Sequence, residues 1–190
     1  MEKFDNKIIE ESTIQLMKAI ELDLTDENFK DTPERIGRMW NEICLPTEVI
    51  KERVKKYLSK TFPSTYDGMV VSKGIKAYSI CGHHLLPIVL DVSIAYIPTK
   101  RVLGLSKLAR LADVLAKRPL IQENYTDAIA QVLMEVLQPK GVGVFVDGIH
   151  YCQTMRGAKQ QNATMSTMTV LGAFREDMKT REEFLKVIGK

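Results

Sequence analysis

The sequence predicts an α+β fold with an antiparallel sheet. Three observations carry this. Apolar residues recur at helical spacing through the first sixty positions, and the period shortens toward two from residue 69 onward. The later elements then follow in the order β-β-α-α-β-β, which groups strands in pairs and favours antiparallel neighbours.

Ile9, Thr13, Leu16, Met17 and Ile20 share one face of a first helix. Asp31-Thr32-Pro33-Glu34 reads as the start of a second, with Thr32 as its N-cap and Pro33 in the first helical position. Ile36, Met39, Trp40 and Ile43 form its apolar face, and Pro46 ends it. A highly charged helix follows over 47–58. Phe62-Pro63-Ser64-Thr65 is turn-like, so the chain is expected to divide into a helical region 1–62 and a domain 63–190. Met69 to Ile80 is a strand pair or one long bent strand. Ile88, Leu90, Val92, Ile94 and Tyr96 alternate along the next strand, which Pro98 stops. Two amphipathic helices come next. One covers 106–118, with Ser106 as cap and Leu108, Leu111, Ala112 and Leu115 inward; the other covers 124–137, with Ile129, Val132, Leu133 and Val136 inward. Val142, Val144 and Val146 alternate toward His150, and 164–174 forms a last strand. Thr180 and Glu183 have the spacing of a capping box for a terminal helix. Four alternating strands leave open edges, a pairing hazard that oligomerisation removes.

Composition narrows the function classes. The chain has 190 residues, 45% hydrophobic and 27% charged, as in an ordinary soluble globular protein. A net charge of +3 without a clustered basic stripe argues against a nucleic-acid partner. No apolar run reaches membrane-spanning length, and Met1-Glu2-Lys3-Phe4-Asp5 lacks the apolar core of a signal peptide. Three cysteines do not make a disulfide framework, which points to a reducing, cytoplasmic setting. Cys44, in an apolar helical stretch, reads as a buried inert thiol.

Chemistry concentrates in two clusters, Cys81-Gly82-His83-His84 and His150-Tyr151-Cys152, which hold all three histidines and two of the three cysteines. Thiolate and imidazole are the preferred ligands of Zn²⁺. Cys81, Cys152 and one of His83 and His84 make three ligands, because neighbouring residues of a strand point to opposite faces. Three ligands leave a position for water, the catalytic pattern, with the other histidine and His150 nearby as proton-transfer groups. The alternative is a closed structural site of Cys81, His84, His150 and Cys152.

A second constellation suits an anion. Gly104-Leu105-Ser106-Lys107-Leu108-Ala109-Arg110 opens a helix, whose free N–H groups and dipole favour negative charge. Lys107 and Arg110 project to one side, and Arg156 follows Cys152 closely; together they suit a polyphosphate, though a solvated basic face explains Lys107 and Arg110 equally well. Gln122-Glu123 lies between the two central helices, where a carboxylate is able to accept bonds from a purine edge.

Taken together, Cys-x-His-His-Leu-Leu-Pro, Ala-Tyr-Ile-Pro, Gly-Leu-Ser-Lys-Leu-Ala-Arg, Gln-Glu and His-Tyr-Cys-x-x-x-Arg-Gly resemble the type I GTP cyclohydrolases. The likeness runs from Leu22-Asp23-Leu24 through Asp31-Thr32-Pro33-Glu34-Arg35-Ile36 to the segment Thr180 to Leu185. It implies the tunnelling fold, with subunits assembled into barrels and a homodecamer with sites at subunit interfaces. It implies conversion of GTP and water to 7,8-dihydroneopterin triphosphate and formate, as a step toward pterins and folate. By the same resemblance Zn²⁺ is held by Cys81, His84 and Cys152, and His83 and His150 move protons. Gln122 and Glu123 hold the guanine, while Ser106, Lys107, Arg110 and Arg156 bind ribose and triphosphate with Arg35 and Arg38 as phosphate partners. The chain departs from the family at Gly82, where a Glu is usual, at Leu90-Asp91 (Gly-Lys), at Leu120 and Asn124 (Gln and Arg) and at Ala163 and Met165 (Ser and Thr). These departures keep two alternatives in view: an enzyme that stops at opening of the imidazole ring or takes another purine nucleotide, and a non-catalytic nucleotide-binding subunit.

Overall fold

A computed structural model describes residues 4–190, which form two compact units divided after Val49. In the first, α1 (Asn6–Ala19) and α2 (Thr32–Ile43) pack together. Asp5 caps α1 by accepting bonds from the Lys7 and Ile8 amides. The cap of α2 is Asp31, one residue before the expected Thr32, and its carboxylate makes no capping bond because it faces Arg35 at 3.4 Å. A Cβ at Gly37 would lie 3.3 Å from the Glu10 carboxylate, so the glycine lets the two helices approach. Asn41 fastens the pair through bonds with the Phe4 amide and the Asn6 side chain.

Helix α3 (Thr47–Leu58) begins at the boundary, and its Leu58 is buried in the core of the second unit. The two compact units divide after Val49. The Phe62-Pro63 segment is not merely a turn. β1 (Thr61–Pro63) pairs with β4 (Arg101–Leu103), and Arg101 reaches back to the Thr61 hydroxyl and carbonyl.

The main sheet is built from β2 (Val70–Cys81), β3 (Pro87–Ile97), β5 (Pro119–Leu120), β6 (Gly141–His150) and β7 (Met165–Gly172), in the order β5-β2-β3-β6-β7. All pairings are antiparallel except the short contact of β5 with β2. β2 is one long bent strand. Its ladder to β3 shifts between Ser72 and Ile75, and Gly74 supplies the left-handed φ of +71° at the bulge.

Helices α4 (Leu105–Ala116) and α5 (Gln122–Leu137) cover one face of the sheet. Leu90, Val92, Ile94, Val142, Val144 and Val146 meet Leu111, Ile129 and Leu133 there, all fully buried. Each such side chain contributes about 1.5–3 kcal/mol relative to exposure. On the opposite face, one end is closed by Phe174 and Phe184 from α7 (Ala173–Glu176) and α8 (Met178–Ile188), whose rings meet edge to face 5.7 Å apart. α8 is capped by Asp177, which accepts from the Lys179 and Thr180 amides, so Thr180 is a donor to the cap rather than the cap itself. The sequence β2-β3-α4-α5-β6-β7 realises the expected ββααββ order of the tunnelling fold, an α+β architecture.

Leu133→Ala should lower stability by about 2–5 kcal/mol, read as the shift in guanidinium midpoint. A shift under about 1 kcal/mol would mean that α5 does not seal this core.

Candidate metal centre and active site

β2 and β6 both run antiparallel to β3, so their ends emerge at the same edge of the sheet, on either side of the start of β3. Cys81 is the last residue of β2. His150 is the last of β6, opposite Ile88, and Cys152 lies in the short helix α6 (Tyr151–Thr154) that follows.

Between β2 and β3 the chain turns tightly. The Leu85 amide donates to Cys81 O at 2.9 Å and the Cys81 amide to Leu86 O at 2.7 Å, with Leu85 at φ +54°. His83 and His84 sit on this turn, not in a strand, so strand alternation does not separate them. The turn does it instead, holding the rings 6.2 Å apart at 74°. The Cys81 Sγ lies 3.8 Å from His84 Nδ1 and 3.6 Å from Cys152 Sγ, and the donor atoms of all three residues lie within 4.8 Å of one another. Ligands on a tetrahedral ion at about 2.0–2.3 Å stand roughly 3.4–3.8 Å apart, so the two separations from Cys81 are already at coordination spacing. Burial and the neighbouring Cys81 push the Cys152 thiol up, while the Arg156 charge pulls it down. Two thiolates this close repel, and a cation between them removes the conflict.

His150 stays outside this group, which removes the closed four-ligand alternative. Its Nε2 lies 2.8 Å from Gln122 Oε1. Burial lowers the His150 pKa below the ordinary imidazole value, opposed by the negative charge of Glu123. Gln122 and Glu123 do not lie between helices; they form the first turn of α5, with Ile121 at the N-cap. Their side chains diverge. Glu123 is exposed, whereas Gln122 is 1% exposed. The Gln122 Nε2 donates to Val146 O at 3.1 Å, Met165 O at 2.7 Å and Thr167 Oγ1 at 3.1 Å, so its amide is fully engaged by protein.

The anion-binding candidates lie at the start of α4. Gly104, not Ser106, is the N-cap; its extended backbone leaves Ser106 inside the first turn with its side chain exposed. Arg110 is exposed, with its guanidinium over the Tyr57 ring at 5.8 Å, and Lys107 is half-buried. Arg156 is exposed in the loop after α6. Arg35 and Arg38 belong to the first unit, where they pair with Asp31 and Glu34 along α2.

Sequence reasoning placed Gln122 beside substrate and missed its contact with His150. The available signal was Gly148, a glycine inside a strand pattern, which marks close approach by another group. A Cβ there would fall 2.0 Å from Gln122 Oε1. Gly82 is different: a Cβ would meet Leu120 O at an ordinary 3.4 Å, so nothing steric demands glycine.

The sequence profile described as GTP cyclohydrolase I matches residues 9–189. The GTP cyclohydrolase 1 of Aquifex aeolicus is 42% identical over 186 residues, covering 97% of both chains. That of Finegoldia magna is 42% identical over 185 residues, covering 97% of this chain and 99% of its own. Among solved structures, the apo archaeosine synthase QueF-Like overlaps 55% of this chain and 93% of its own at 18% identity, with a TM-score of 0.44.

Cys152→Ser should strip the bound metal on dialysis, as measured by elemental analysis, while Cys44→Ala retains it. Equal metal in both proteins would refute the three-donor site. Gly82→Glu should fold and gain about 0.4–1 kcal/mol, since the chain loses backbone freedom only in the unfolded state; a loss of stability would show strain at this turn.

Proposed function

Because the chain belongs to the GTP cyclohydrolase I family, we propose that it converts GTP and water to 7,8-dihydroneopterin triphosphate and formate at a zinc centre formed by Cys81, His84 and Cys152. The observation that carries the reading is the three-donor cluster beside His150, with His83 on the same turn as His84. A bound zinc ion supplies Lewis acidity that makes water nucleophilic near neutral pH.

The protein's own groups do the rest. C8 of guanine is a poor electrophile, and a proton delivered to N7 makes it a better one. In this reading His150 makes that transfer, and His83, on the turn beside His84, also moves protons. Water adds at C8 and opens the imidazole ring, a second water cleaves the formamide to release formate, and the sugar carbons rearrange and condense with the freed amine to close the new ring with loss of one water, so that one water is consumed overall. Glu123 is the guanine anchor, because its exposed carboxylate is free to accept two bonds from N1–H and the 2-amino group. The Gln122 amide is occupied by protein groups, so guanine recognition in this proposal does not use it. Ser106, Lys107, Arg110 and Arg156 receive the ribose and triphosphate, with the first turns of α4 adding their free amides. Arg35 and Arg38 complete the phosphate partners.

Assembly as a homodecamer with sites at subunit interfaces is part of the same proposal. β7 and most of β2 are sheet edges with no partner among the described residues, and such edges invite pairing with another copy. Tyr78, Val89 and Ile149 form one cross-strand row on the face away from α4 and α5, and Tyr78 is 63% and Ile149 41% exposed. No helix among the described residues is long and apolar enough to cross a membrane. A cytoplasmic location and a role in pterin and folate supply accord with the family.

The decisive test is to incubate zinc-loaded protein with GTP and follow products by mass spectrometry with formate measured in parallel. Dihydroneopterin triphosphate with equal formate is expected. An opened formamido nucleotide without formate would place the end of the reaction at ring opening, and unchanged GTP would overturn the reading. His150→Ala should lower kcat by about 10²–10⁴-fold; intact turnover would remove His150 from proton transfer. Native mass spectrometry should give ten subunits, and a monomer would refute the interface sites.

A further inference from the structure

We propose that Gln122 is a positioning residue: it fixes His150 as the Nε2–H tautomer and so makes Nδ1 the nitrogen that takes and returns the proton. The inference deepens, and rests on, the proton-transfer role assigned to His150 above.

The argument is a count of hydrogens. Gln122 presents one end of its amide to two backbone carbonyls, Val146 O at 3.1 Å and Met165 O at 2.7 Å. Carbonyls only accept, so that end must be the NH₂. A flipped amide would set three oxygens against one another in a buried site, which is costly. The hydroxyls agree with this direction. Gln122 Nε2 donates to Thr167, Thr167 donates to Thr126 at 2.6 Å, and Thr126 donates to Gln122 O at 2.8 Å. Nε2 has two hydrogens for three acceptors, so one of them is shared, and the directions of the two hydroxyl bonds follow from it.

The other end of the amide is therefore Oε1, 2.8 Å from His150 Nε2. An amide oxygen cannot donate, so His150 Nε2 must carry the hydrogen. Neutral imidazole then has its lone pair on Nδ1, which no protein group engages among the described residues. Nδ1 is thus the nitrogen left open, while the bond from Nε2–H to Oε1 fixes the orientation of the ring.

Gly148 is the space that permits this contact. It lies two residues before His150 on the same face of β6, and a Cβ there would sit 2.0 Å from Gln122 Oε1 and 3.2 Å from His150 Nε2. Alanine at 148 must displace the amide or the ring.

The test uses zinc-loaded protein labelled with ¹⁵N-histidine, the His150 signals being assigned by their loss in His150→Ala. Solid-state ¹⁵N spectra should show a protonated Nε2 and a bare Nδ1 for neutral His150. Gln122→Leu and Gly148→Ala should each mix the tautomers. Each should lower kcat by about ten- to a hundredfold and leave KM for GTP within about threefold. Any of three results overturns the proposal: an Nδ1–H tautomer in the unaltered protein, an unchanged tautomer in Gln122→Leu, or a raised KM with kcat intact, which would assign the amide to substrate. The spectrum of the unaltered protein decides even where both variants fail to fold. Full turnover in His150→Ala overturns the proton-transfer role itself. A wrong tautomer alongside lost turnover in His150→Ala overturns only the role of Gln122.

Discussion

Register in the β2-β3-β6 ladder is the constraint on which the site depends. Cys81 and Cys152 are 71 positions apart in sequence, and only the shared pairing with β3 brings their sulfurs to 3.6 Å. A one-residue slip of β6 would turn His150 from the helix-covered face to the other face and carry Cys152 away from Cys81. The slip is opposed by Val142, Val144 and Val146, whose burial against α5 would be lost together. The chemistry at the strand ends is thus held by apolar packing well away from it.

Two kinds of polar demand are met at those ends, and they are met differently. The thiol pair is short of positive charge. Arg156 supplies some, and an ion between the sulfurs would satisfy the rest. The Gln122 cluster needs nothing from outside, because its amide, two threonine hydroxyls and two backbone carbonyls satisfy one another. A fully satisfied buried network is rigid, and rigidity next to a group proposed to move protons would give the proton a fixed origin.

The strands and most helices were legible in the sequence because burial on one face writes a period, as in Ile88 to Tyr96 and Val142 to Val146. The grouping of Cys81, His84 and Cys152 was legible because few residue types bind a metal ion and nearly all of the chain's Cys and His residues cluster in two places. Helix starts were misread at Thr32, Ser106 and Thr180, where several residues in a row are acceptable caps and backbone dihedrals decide. The turn holding His83 and His84 was hidden because Leu85 adopts a positive φ without a glycine to announce it. The contact of Gln122 with His150 was hidden for a deeper reason. Its partners lie 24 to 45 residues away, and a buried polar side chain shows no pattern until those partners are assembled around it.

The two-residue strand β5 looks negligible as architecture. Yet the Gly82 amide donates to Leu120 O at 3.0 Å, the Ser79 hydroxyl donates to Arg118 O at 2.8 Å, and Cys81 stands beside Leu120 in the ladder. Leu120 is two residues from Gln122 and three from Glu123 along the chain. The turn that carries His83 and His84 and the head of α5 are therefore tied through backbone, and a shift of one must be taken up by the short segment Pro119 to Ile121 that joins them.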